Sequence, residues 1–117
     1  MSFTSEDLNK MNRKQIDLLP LGVVKLSGQG EIVLCNRLLS ERLGKTEEEL
    51  VGKNLFNDLL SSGAENARSV FEEVLGKKLP HKLVVCEMAA SSGPVGATFA
   101  MMRNKDEDSI WATVHLS

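Results

Sequence analysis

Few side chains in this sequence are suited to chemistry: two cysteines, Cys35 and Cys86, and two histidines, His81 and His115, in 117 residues. A nucleophilic thiol needs a stabilised thiolate, and a metal centre needs His, Cys and carboxylate ligands at short spacings. The cysteines stand far apart with neither pattern around them, so they read as reduced, buried thiols. Glu47-Glu48-Glu49 follows Thr46 as a helix start, where carboxylates sit in solvent at the positive end of the helix dipole. Gly28-Gln29-Gly30 is a turn and not a phosphate cradle, because a strand rather than a helix follows it. There is no G-x-S-x-G elbow. The expectation is a non-enzyme with no catalytic residues, no metal and no cofactor.

Composition narrows the partners. The 14 basic and 16 acidic residues leave a net charge of −2, without the basic excess that holds a phosphate backbone. With no Tyr, one Trp and four Phe, stacking platforms for bases are scarce, so nucleic acid is not expected as a partner. No apolar run approaches the roughly 18 residues of a membrane span, and residues 1–15 lack the apolar centre of an export signal. A reduced, cytoplasmic protein is expected, with no membrane partner. The length suits one domain of the usual size, about 100–200 residues.

Around these residues the periodicity changes several times. Thr4 or Ser5 caps a first helix with Glu6 and Asp7 in its first turn; Leu8, Met11, Ile16 and Leu19 form an imperfect stripe, and Pro20 stops it. Residues 21–26 and 31–35 are short β-branched runs about Ser27-Gly28-Gln29-Gly30, a hairpin signal. Asn36 caps a helix over 37–43 that Gly44 ends, and Thr46 with Glu49 forms a capping box. Asn54 opens a further turn over 55–60, broken by Ser61-Ser62-Gly63. Residues 64–75 form the longest central helix, with Ala67, Val70, Phe71 and Val74 at helical spacing. Three strands follow: 82–90, 95–103 after Ser91-Ser92-Gly93-Pro94, and 109–116 after the polar turn 104–108.

An α+β domain follows from that order. The order, with Gly22-Val23-Val24, Gly28-Gln29-Gly30-Glu31-Ile32, Asn36, Leu43-Gly44 and Glu49-Leu50-Val51-Gly52-Lys53-Asn54, resembles the PAS sensory domains over about residues 20–117. Gly52-Lys53-Asn54-Leu55-Phe56 is most similar to the photoactive yellow protein branch. The resemblance implies a PAS (profilin-like) fold: a five-stranded antiparallel sheet in the order 2-1-5-4-3, helices on one face, and an N-terminal helix. The domain division is then 1–19 for the N-terminal helix or cap and 20–117 for one PAS domain.

The branch's chromophore chemistry does not carry over. Its chromophore cysteine falls on Ser62, which cannot form the thioester. Its phenolate-binding tyrosine falls on Cys35, its buried glutamate on Leu39 and its threonine on Leu43, so no donor remains for a buried phenolate. No p-coumarate photocycle is expected. The interior becomes aliphatic, with Val24, Val33, Cys35, Leu39, Leu43, Ser62 and Val114 as its candidate lining. Either these side chains fill it, or they leave a small cavity for an apolar ligand. Haem, used elsewhere in the family, would need an axial histidine; the helix over 64–75 has none, and His81 and His115 are expected at the surface. The flavin pattern asparagine-cysteine-arginine is absent, since Cys35 precedes Asn36-Arg37.

The resemblance places Val33 and Cys35 inward, which turns Ile32 and Leu34 outward together with Trp111. Such a patch needs a cover. Leu8, Met11 and Ile16 of the N-terminal helix can supply it, or Leu8, Met11, Ile16, Ile32, Leu34 and Trp111 can form a homodimer interface. The functional expectation is a sensory or signalling module acting by non-covalent ligand binding or by contact with itself or a signalling protein. Its rivals are a constitutive dimerisation module with a filled core, and a haem or redox sensor using His81.

Overall fold

The computed structural model describes residues 4–76, 80–104 and 107–116. Local capping explains most of its helices. Thr4 accepts from the Asp7 amide while Asp7 accepts from the Thr4 amide, a capping box that opens α1 (Ser5–Lys10). Asn12 and Gln15 form a second box that opens α2 (Arg13–Asp17). The N-terminal helix expected as one piece is therefore two. Asn12 takes the backbone out of the helix, because its side chain offers the α2 amides a better partner than a continued turn does.

β1 (Gly22–Ser27) and β2 (Ile32–Cys35) form the first hairpin. Gly30 closes its turn at φ +86°, and a Cβ there would stand 2.8 Å from the Phe56 ring, so the position requires glycine on both counts. Asn36 caps α3 (Arg37–Leu43) and Gly44 ends it in the left-handed region. The Thr46–Glu49 box opens α4 (Glu47–Leu50). Asn54 caps a π-helix over Leu55–Leu59, which leads into β3 (Leu60–Ser62) and then α5 (Ala64–Leu75). β4 (His81–Ala90), β5 (Gly93–Arg103) and β6 (Ser109–Leu116) complete the chain. Of the expected turn 104–108, residues 105 and 106 lie outside the described residues.

The antiparallel sheet has six strands in the order β2-β1-β6-β5-β4-β3. The five expected strands, here β1, β2, β4, β5 and β6, keep their expected order. The addition is β3, which pairs Leu60 with Met88 and Ser62 with Glu87 along the outer side of β4. Three residues are too few to show a strand period, so this segment reads as a helix end and a break. Helices α3, α4 and α5 and the π-helix pack on one face, while α1 and α2 pack on the other, giving two apolar clusters. The central strand β6 lies between them and is buried continuously from Ser109 to Val114.

One expectation about sheet parity is overturned. β1 and β2 pair Val24 with Cys35, Lys25 with Leu34 and Leu26 with Ile32, and the register shifts between Lys25 and Leu26. Val33 is thus an extra residue without a partner, a β-bulge, and it is 51% exposed. Ile32 is buried in the helix-side cluster, not on the opposite face. An inserted residue resets the period-two alternation, so parity counted back from Cys35 fails beyond it.

Candidate functional site

The interior between the sheet and α3–α5 brings five of the predicted lining residues into one cluster: Val24, Cys35, Leu39, Leu43 and Val114, all buried. Val33 does not belong to it, having been turned outward by the bulge. Ser62 does not either: it lies exposed on the edge strand β3. Leu39 leans directly on the sheet, since a Cβ on Gly22 would stand 3.3 Å from Leu39 Cδ1 and 3.2 Å from Val114 Cβ. None of the buried polar side chains among the described residues is charged.

Burial pushes the Cys35 thiol up to about 11; the Glu47 carboxylate adds to this, Arg13 opposes it, and Asp17 adds a little more. Burial alone pushes Cys86 up to about 11. Both sulfurs are protonated thiols at neutral pH, free of any disulfide, and poor nucleophiles. Among the described residues no group of three His, Cys, Asp or Glu side chains is placed to hold a metal. His81 and His115 are exposed and stand apart from the interior cluster. No helix among the described residues is long and apolar enough to cross a membrane.

On the opposite face, Leu8, Ile16, Val23 and Trp111 form the second cluster, with Met11, Leu19, Leu21, Leu34 and Met102 packed against it. Of the predicted surface patch, Leu8, Met11, Ile16, Leu34 and Trp111 meet here within one chain, while Ile32 lies on the other face. The cluster is closed by amides. Trp111 Nε1 donates to Asn9 Oδ1 at 2.8 Å, and the Asn9 and Asn104 side chains donate to each other at 2.9 and 3.3 Å. Lys25 Nζ lies 5.3 Å from the Trp111 ring centroid and pairs with Glu107, which also accepts from Asn104.

Asn36 joins the two faces. Its Oδ1 accepts from the Val23 amide at 2.9 Å and the Leu39 amide at 3.3 Å, the latter as cap of α3. Its Nδ2 donates to the carbonyls of Ile16 at 3.1 Å and Leu21 at 2.9 Å. The sequence marks Asn36 only as a cap. A cap uses the oxygen alone, and the burial that makes its NH2 group seek two further acceptors comes from the fold and not from any local pattern. Asn9 and Asn104, 95 residues apart, carry no local signal either.

The family model described as PAS fold matches residues 10–114. Solved structures of similar fold include the photoactive yellow protein domain of the sensor histidine kinase Ppr from Rhodospirillum centenum (TM-score 0.75, 20% identity, covering 95% of this chain and 98% of that one). A PAS domain of an HTR-like protein from Haloarcula marismortui is similar over 96% of this chain and 93% of its own (TM-score 0.76, 17% identity). The Cronobacter turicensis RpfR quorum-sensing receptor PAS domain in complex with C12:0 is similar over 84% of this chain and 94% of its own (TM-score 0.72, 21% identity). At these identities the likeness is one of fold.

Proposed function

Because the chain belongs to the PAS family, we propose that it works as a non-enzymatic sensory or signalling module whose N-terminal segment reports on the interior. The observation that carries this reading is Asn36. One side chain caps the helix that lines the interior and also holds the carbonyls of Ile16 and Leu21, where the N-terminal segment enters the sheet. A small apolar ligand among Val24, Cys35, Leu39, Leu43 and Val114, or a partner at the outer face, would shift that segment between docked and released states. The shift follows only if the ligand binds the two states with different affinity. No p-coumarate photocycle is part of the proposal: the Ser62 position is exposed, and the Cys35 thiol is held protonated among aliphatic neighbours.

A homodimer in the cytoplasm is the assembly we propose. Leu83 and Val85, 63% and 70% exposed, extend the apolar character of the outer face beyond the part covered by α1 and α2. The close seating of Leu39 over Gly22 favours a second reading, a constitutive dimerisation module with a filled core.

Titration with C12:0, followed by the emission of Trp111 and by native mass spectrometry, separates the two. A saturable emission change with a retained ligand mass supports sensing. A constant emission spectrum with a clean, ligand-free dimer mass supports the constitutive module. A Soret band in the purified protein would instead revive His81 as a haem ligand.

A further inference from the structure

We infer that Arg13 and Glu47 form a charge-held latch through which displacement of α4 frees α2 while α1 stays docked. The inference rests on the reading of the N-terminal segment as a mobile reporter, but its test requires no ligand. The Arg13 guanidinium joins three elements. Nη2 donates to the carbonyl of Cys35 at 2.9 Å, the last residue of β2, and to Glu47, the first residue of α4. Its Nε donates to both oxygens of Asp17 at 3.3 Å, and Asp17 accepts from the amide of Arg37 at 3.0 Å, the first residue of α3. Thus α2 is fixed by charge-assisted bonds to the starts of both helices that follow the first hairpin.

Both helices have a buried apolar anchor on the outer face, Leu8 in α1 and Ile16 in α2, and α2 adds the Asn36 bond to the Ile16 carbonyl and these charged ties. Leu8 is fully buried against the sheet, and Asn9 is held by Trp111 and Asn104. Between the two helices Met11 and Asn12 are extended, so neither helix is obliged to follow the other. Glu47 in turn reports the position of α4, which is only four residues long and anchored in the interior by Leu50. A change of volume around Leu43 and Leu50 moves the carboxylate away from Arg13. The side chains of Arg13 and Glu47 are 43% and 38% exposed, so solvent and salt reach the pair and its hold is weak enough to be switched.

The test is residue-resolved amide hydrogen exchange by NMR on the full chain. The amides of Ile16, Leu18 and Leu19 report α2, and the Leu8 amide with the Trp111 indole reports α1. Glu47→Gln should accelerate exchange in α2 about threefold, within the range of a solvent-exposed ion pair, and leave the α1 probes unchanged. Arg13→Gln, which does not alter α4, should reproduce this pattern. Raising NaCl to about 0.5 M should accelerate α2 exchange in the wild type but add little to Glu47→Gln. The latch is overturned if α2 is unaffected in both variants, if α1 loosens together with α2, or if salt acts equally on variant and wild type. A positive result here with no response to C12:0 would leave the latch standing and reject the ligand reading alone.

Discussion

The Asn36 amide makes four side-chain hydrogen bonds inside the fold, two as acceptor and two as donor. Asn36→Asp keeps the shape and the acceptors but sets a buried carboxylate against the carbonyls of Ile16 and Leu21. A loss of about 2–4 kcal/mol is expected in urea unfolding, since breaking a buried network by leaving unpaired charge is among the costlier single changes. The two thiols give a second prediction. Both are held well above the ordinary thiol value of 9.0, chiefly by burial. A proton held more tightly in the folded state stabilises the fold below the unfolded value and ceases to do so as pH rises through the folded one. Stability should therefore decline between about pH 9 and pH 11, and a variant with both Cys35→Ala and Cys86→Ala should lose that part of the slope. Thiol reagents should label neither cysteine in the folded protein near neutral pH. The sequence made both residues legible, Asn36 as a cap and the cysteines as inert thiols. It did not show that the same asparagine reaches two carbonyls of the preceding segment, because those contacts depend on where β1 brings the chain.

Among the elements, the first hairpin holds the difference between periodicity and structure. Residues 32–35 are all apolar and carry no phase of their own, so the inward placing of Val33 and Cys35 comes from the resemblance, and the bulge at Val33 inverts the parity of everything before it. The consequence is measurable. Ile32→Asp places a charge in the helix-side core and should cost at least about 3 kcal/mol, whereas Val33→Asp at the exposed bulge should stay within about 0.5 kcal/mol. The phase taken from the resemblance would give the reverse ranking. The helix boundaries around this hairpin were legible because caps are local: Thr4, Asn36, Thr46 and Gly44 each act through residues at most four positions away. β3 was not legible, because its strand character comes from Met88 and Glu87 of β4 rather than from its own three residues.

For the whole molecule, the covering of the outer sheet face by α1 and α2 is what Trp111 supports. Trp111→Ala removes the ring beneath α1 and the donor that fixes Asn9. Tryptic cleavage after Lys10 and Lys14 should quicken by about tenfold or more, as expected when roughly 1.4 kcal/mol of docking is lost, while α5 and the helix-side core stay folded by circular dichroism. Unchanged cleavage together with an unchanged oligomer mass would reject the outer face as the docking surface. The sequence by itself determined the order of the five main strands through its resemblance to the PAS domains, the helix caps, and an apolar N-terminal stripe in need of a surface. The caps and the stripe follow from spacing, capping and side-chain type, which act over a few residues, whereas the strand order comes from the resemblance. Tertiary structure alone decided that the stripe folds back onto its own sheet and that Val33 is expelled. It also decided that Asn9 meets Asn104, and that Arg13 spans three elements. Those outcomes depend on the register of paired strands and on side chains brought together across the length of the chain, and no local pattern encodes either.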